Sequence, residues 1–216
     1  LLYSRFFTKA LQDQNFIKFS EPFLRLRHQG IILGPDGQKM SKSRGNVIDP
    51  DEQVKKYGAD AIRMYLCFMG PYNQGGLWNP SGLVGIYRFL NRVWDLISSN
   101  IKTTNSKTGN EGLERLLHQT IKKITEDIES LRFNTAISGL MILVNKMQEE
   151  KDGMDEHSLR ALLLLLSPFV PHFSEELWQQ FDSKNSIHSQ PWPVYDSKLI
   201  KERTAQIIVQ INGKVR

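Results

Sequence analysis

Apolar residues recur along most of this chain at helical spacing, and in a few short runs they stand side by side as in a strand. Leu1, Leu2, Phe6, Phe7 and Leu11 fall on one face of an opening helix. Ser20-Glu21-Pro22 carries an N-cap and a first-turn proline, which predicts a short helix through Arg27 stopped by Gly30. Ile31-Ile32-Leu33 predicts a strand, and Gly34-Pro35-Asp36-Gly37 a turn that leaves Lys39 at its exit. Asp49-Pro50-Asp51-Glu52 starts a helix that Tyr57-Gly58 ends, and Asp60 to Met69 forms another, closed by Gly70-Pro71. Tyr72 to Gly76 reads as loop. From Asn79-Pro80-Ser81 onward, Val84, Tyr87, Leu90, Trp94, Ile97 and Ile101 predict a long helix. Lys102 to Gly112 is polar and reads as a linker. Leu113, Leu117, Ile121, Ile124, Ile128 and Leu131 stripe a second long helix, and Phe133, Ile137, Leu140, Val144 and Met147 a third, broken at Asp152-Gly153. Ser158 to Phe181 predicts a last helix, interrupted near Pro168 and Pro171. Amphipathic helices joined by short turns pack as antiparallel neighbours, so the expected class is mainly α, with a bundle over the second half. Ile207 to Ile211 predicts a strand entering an Asn212-Gly213 hairpin. No repeat of 20 to 50 residues is visible.

The composition, 40% hydrophobic and 24% charged over 216 residues, is that of an ordinary globular protein of one large or two smaller domains. The net charge of +5 is unevenly placed: residues 1–79 hold 11 Lys/Arg against 7 Asp/Glu, and the remainder 17 against 16. An anionic ligand is therefore expected near the first third, rather than general nucleic-acid binding over the whole surface. A single cysteine, Cys67, excludes an internal disulfide and a cysteine-rich zinc site and fits a reducing compartment. The longest apolar run, Ala161 to Leu166, is far short of the roughly 20 residues that span a bilayer. Leu1 to Phe7 lacks the pattern of a secretory signal, and the apolar opening face and the abrupt hairpin lead us to expect a piece of a longer protein.

The densest chemistry lies in Lys39-Met40-Ser41-Lys42-Ser43, continued by Arg44-Gly45-Asn46-Val47-Ile48-Asp49-Pro50. Two ammoniums flanking a hydroxyl, next to a second hydroxyl and a glycine, suit a flexible loop that holds a polyphosphate. Gly37-Gln38-Lys39 does not supply the Gly-Lys-Ser/Thr ending of a P-loop. The run resembles the KMSKS signature of the class I aminoacyl-tRNA synthetases, and its continuation is most similar to the leucyl members. Further similarities are Leu1 to Phe6, His28-Gln29-Gly30, Tyr57-Gly58-Ala59-Asp60, Phe68-Met69-Gly70-Pro71, Arg88 to Trp94, Phe133-Asn134-Thr135-Ala136, Pro168 to His172, Pro191-Trp192-Pro193 and Val209 to Arg216.

That resemblance implies the C-terminal edge of a Rossmann-like catalytic domain with the signature loop (residues 1–79), an α-helical anticodon-binding-type bundle (80–203) and the start of a small α/β C-terminal domain (204–216). It implies ATP-dependent attachment of leucine to tRNA(Leu) through leucyl-adenylate, in a cytoplasmic enzyme that is monomeric at full length. Lys39 and Lys42 would be catalytic, and Lys39, Met40, Ser41, Lys42 and Ser43 would bind ATP, with Mg2+ accompanying the nucleotide and no protein-held metal here. The other nucleotide motif of the family, HIGH, is absent from the chain, so this piece alone is expected to be inactive. The helix matching Arg88 and Arg92 approaches the tRNA backbone in the family, which implies phosphate contacts; an ordinary surface ion pair between Arg92 and Asp95 fits that spacing equally well. A free-standing helical RNA-binding module, or an isoleucyl, valyl or methionyl relative, remains the alternative. His172 is expected at the core or its boundary, Trp78, Trp94, Trp178 and Trp192 in packing, Glu149-Glu150 and Glu175-Glu176 on polar helix faces, and Asp49 and Asp51 at a helix cap.

Overall fold

The helices follow the apolar stripes, and the computed structural model describes residues 1–101, 110–150, 154–182 and 184–200, together with the backbone of 210–211 and 214–215. In order the elements are α1 (Leu2–Asp13), β1 (Ile31–Leu33), α2 (Pro50–Tyr57), α3 (Ala59–Phe68), β2 (Gly75–Leu77), α4 (Pro80–Asn100), α5 (Glu111–Glu129), α6 (Phe133–Glu149), α7 (Glu156–Leu166), α8 (Pro171–Trp178), β3 (Gln210–Ile211) and β4 (Lys214–Val215). Asn79 Oδ1 accepts the Ser81 N–H at 3.0 Å and so caps α4; Asn110 and Asp155 cap α5 and α7 in the same way. Among the described residues no helix is long and apolar enough to cross a membrane.

One core runs through α3 to α8. Met64 and Tyr65 of α3, Ile97 of α4, Ile121 and Ile124 of α5, Ile137 and Leu140 of α6, Leu162 of α7 and Leu177 of α8 are all buried in it. α3 packs on both α4 and α6, and the short β-layer reaches the same core through Ile32 of β1. Asp60, buried in the first turn of α3, reinforces the joint by accepting the Phe173 N–H at 2.7 Å, and thus serves as a remote cap for α8, whose own N-cap residue supplies no side-chain bond. The segment after α8 is pinned across α5: Trp192 Nε1 donates to Thr125 Oγ1 at 2.8 Å, and the Asp196 N–H donates to His118 Nδ1 at 3.0 Å.

Several local expectations change. Residues 20–29 form no helix; Phe23, Leu24 and Leu26 are exposed, and so short a helix with no apolar face buried is not self-sustaining. Tyr72 to Gly76 is not wholly loop, since Gly75–Leu77 pairs in parallel with Ile31–Leu33. Glycine hid that strand from its sequence pattern, yet only glycine fits: Gly75 has φ 74°, and a Cβ there would lie 2.2 Å from the Ile31 carbonyl oxygen. The buried face of α4 is Leu83, Ile86, Phe89, Leu90, Val93, Leu96 and Ile97, which leaves Tyr87 (39%) and Trp94 (37%) exposed at the rim, edge-on to Tyr57 and Phe173. The linker ends sooner than expected, because Gly112 already lies in α5. The last predicted helix is two helices, with Pro171 opening the second. His172 lies at the surface, its side chain 83% exposed and Nδ1 3.0 Å from Asp60 Oδ1. Trp78 and Trp178 are buried as expected. β3 and β4 pair antiparallel, Gln210 with Val215, while Ile207 to Val209, Asn212-Gly213, Asp152-Gly153 and the linker interior 102–109 fall outside the described residues.

Candidate functional site

The signature loop is built on the end of β1. After Leu33 the chain reverses: the Gly34 N–H donates to the Gln38 carbonyl at 2.8 Å, the Gly37 N–H to the Gly34 carbonyl at 2.9 Å, and Leu33 forms an isolated antiparallel bridge with Lys39. Gly37 takes φ 74°, the left-handed conformation that such a reversal needs. Met40 then packs on the core, as does Ile48 eight residues later, so the loop is anchored at both feet. Between them Lys42–Arg44 forms a 3-10 turn closed by Gly45 at φ 66°. Asp49 caps α2 by accepting the Asp51 N–H at 2.9 Å, as expected, and Asp51 lies in that helix's first turn.

This arrangement brings Lys39, Met40, Ser41, Lys42 and Ser43 together. Lys39, Lys42, Ser43 and Arg44 are exposed, and among the described residues neither lysine has a carboxylate in ion-pair range. Ser41 Oγ and Ser43 Oγ share a hydrogen bond of 2.7 Å, one hydroxyl tying the other. Two uncompensated ammoniums on a short, anchored loop can neutralise a phosphate chain. Asp36 is engaged elsewhere: the Gln38 amide, and after it Asn46, bond its carboxylate and hold it below the usual carboxylate range. No group of three or more His, Cys, Asp or Glu side chains able to hold a metal occurs among the described residues.

Sequence reasoning missed Asn46. Its Oδ1 accepts the Ser41 N–H at 2.8 Å, and its Nδ2 reaches both Asp36 oxygens (3.2 and 3.0 Å) and the Lys39 carbonyl (3.4 Å). Only the Gly45-Asn46 dipeptide, a turn signal, marked the position.

Arg88 and Arg92 lie apart from the loop, exposed on α4. Arg92 Nη2 donates to Asn145 Oδ1 of α6, and the ion pair with Asp95 does not form among the described residues. Arg88 makes no ion pair among the described residues.

Comparison with known proteins follows these two regions. A family described as tRNA synthetases class I (I, L, M and V) matches residues 4–76, and one described as the anticodon-binding domain of tRNA ligase matches residues 110–216. The leucine--tRNA ligases of Dehalococcoides mccartyi and Chlorobaculum parvum are each 50% identical to the chain over its whole length. The chain spans 27% of the length of those relatives. Among solved structures, the ternary complex of Agrobacterium radiobacter K84 agnB2 LeuRS-tRNA-LeuAMS superposes with a TM-score of 0.86 at 37% identity, covering all of this chain and 30% of that one. Mycobacterium tuberculosis methionyl-tRNA synthetase shares the fold alone, with a TM-score of 0.56 at 17% identity over 68% of this chain and 36% of that one.

Proposed function

The chain belongs to the class I tRNA synthetases, on their leucine--tRNA ligase branch, and from that premise we propose that it supplies the phosphate-handling loop and the RNA-binding bundle of an enzyme that joins leucine to tRNA(Leu). The observation that carries the reading is the anchored loop with two exposed lysines that have no carboxylate in ion-pair range among the described residues. In the proposed first step a leucine carboxylate oxygen attacks the α-phosphorus of ATP and the bond to the bridging oxygen breaks, releasing pyrophosphate. In the second, a ribose hydroxyl at the tRNA 3′ end attacks the leucyl carbonyl and AMP leaves. Most of what the loop contributes is positioning and neutralisation of charge building on the departing phosphates. Lys42 is the first candidate for that role and Lys39 the second, while the Ser41–Ser43 tie keeps the turn in shape. Mg2+ accompanying the nucleotide would supply further charge neutralisation at its phosphates, and no residue of this chain is assigned to hold it. We read residues 1–79 as the edge of the catalytic domain, 80–203 as the tRNA-binding bundle and 204–216 as the start of a C-terminal domain, in a monomeric cytoplasmic enzyme; the lone Cys67 suits that compartment.

The test is Lys42→Ala in the intact enzyme. Leucine-dependent pyrophosphate exchange is expected to fall by about 10² or more, the scale of one lost electrostatic transition-state contact. An unchanged rate would remove Lys42 from the chemistry.

A further inference from the structure

We infer that Asn46 and Asp36 form a clamp that sets the working shape of the signature loop, which makes both of them positioning residues for Lys39 and Lys42; the inference rests on the ATP-loop reading above. The two residues are ten apart in sequence and stand on opposite sides of the signature. Asn46 uses its whole amide: the carbonyl oxygen takes the Ser41 N–H at 2.8 Å, and the NH2 group spans the Asp36 carboxylate at 3.0 and 3.2 Å and reaches the Lys39 carbonyl at 3.4 Å. The backbone on either side of Met40 is thereby held by one side chain. Asp36 is itself fixed by the Gln38 N–H at 3.0 Å, so the clamp is tied back to the turn that leaves β1.

The turn is shaped to admit this pair. A Cβ on Gly34 would stand 2.8 Å from Asp36 Oδ1, 3.1 Å from Asn46 Nδ2 and 3.2 Å from the Asn46 carbonyl oxygen, so any larger residue there would push the clamp apart. Gly45, at φ 66°, turns the chain so that Asn46 comes back toward Ser41. Each bond to the carboxylate is charge-assisted and stronger than a neutral one, and together they fix the direction in which the chain carries Lys39 into the loop and Lys42 out of it. Positioning of this sort acts on the rate of the phosphate-releasing step, where a small misplacement is costly, rather than on recognition of the amino acid.

The test uses the intact enzyme and steady-state pyrophosphate exchange. Asn46→Asp removes the donor and sets a second carboxylate against Asp36; kcat should fall at least ~10-fold while the KM for leucine stays within about twofold. Asp36→Asn keeps one oxygen for Gln38 and Asn46 but loses the charge and the second acceptor, and should give a smaller loss than Asn46→Asp. The decisive variant is the exchange of partners, Asp36→Asn with Asn46→Asp, which restores an amide-to-carboxylate pair and keeps the acceptor for Ser41. Its kcat should recover to within a few-fold of the parent. Gly34→Ala, with Asp36 and Asn46 intact, should reproduce the loss by pushing them apart. A wild-type kcat for Asn46→Asp, or a swap no better than Asn46→Asp alone, overturns the clamp. If Lys42→Ala still loses activity in that event, the ATP-loop reading stands without the clamp; if Lys42→Ala is also inert, the loop reading fails and takes the clamp with it.

Discussion

Arg92 is held by a neighbour that sequence could not identify. Its spacing from Asp95 suggested an ion pair within α4, yet the guanidinium turns across to Asn145 on α6, a residue 53 positions away. Arg88 makes no ion pair among the described residues, and we propose that the two exposed guanidiniums contact phosphates of a bound RNA. Removing both, as Arg88→Ala with Arg92→Ala in the intact enzyme, should weaken tRNA(Leu) binding and flatten the slope of log affinity against log salt by ~0.7–0.9 per lost contact. Leucine activation should be unaffected, since it needs no RNA. An unchanged salt slope would make these arginines ordinary solvated surface. The signature lysines, by contrast, stood out in the sequence as candidates by residue type and order, and both are exposed on the anchored loop. Asn46 did not stand out, since its four bonds cross gaps of five to ten residues with no period to reveal them.

Among the elements, the junction of α5 and α6 shows what a buried charge contributes. Asp127 is 4% exposed and accepts from Lys123 Nζ, from Arg132 Nε at 2.9 Å and from Thr135 Oγ1 at 2.8 Å, around a turn in which Leu131 takes φ 58°. Burial pushes its carboxyl up, but the bonds from Lys123, Thr135 and Arg132 outweigh burial and leave it below the usual range. A lowered folded value means that the stabilisation is complete above the unfolded carboxylate pKa of about 3.9 and is lost as the pH falls through the folded value. Asp127→Asn should therefore cost about 1–3 kcal/mol at neutral pH and reduce the dependence of stability on pH below about 4, measured by urea unfolding. Equal losses at pH 7 and pH 3 would contradict this. The long helices were readable because stripe and length agreed at α4, α5 and α6, with a side-chain cap added at α4 and α5. Where one signal stood alone, as with the cap at Ser20, or where glycine masked the pattern, as at Gly75, the tertiary partner decided the outcome.

At the scale of the whole molecule, the chain pairs a well-buried helical core with an apolar surface elsewhere. Leu1, Leu2, Phe6 and Phe7 on α1, with Phe23 and Leu24 after it, are all exposed, an expanse of the kind that marks an interface. The leucine--tRNA ligases it resembles have about three quarters of their length outside the matched segment, since the chain spans 27% of them. On the function proposed above, leucine activation belongs to the intact enzyme, to which this chain contributes the phosphate loop and the RNA-binding bundle. Leucine-dependent pyrophosphate exchange, measured side by side for the intact enzyme and for the 216-residue chain, addresses that claim most directly. The predicted result is exchange by the intact enzyme with leucine and not with isoleucine, valine or methionine, and none by the chain alone. Exchange by the isolated chain, or an intact enzyme that follows another amino acid, would contradict it.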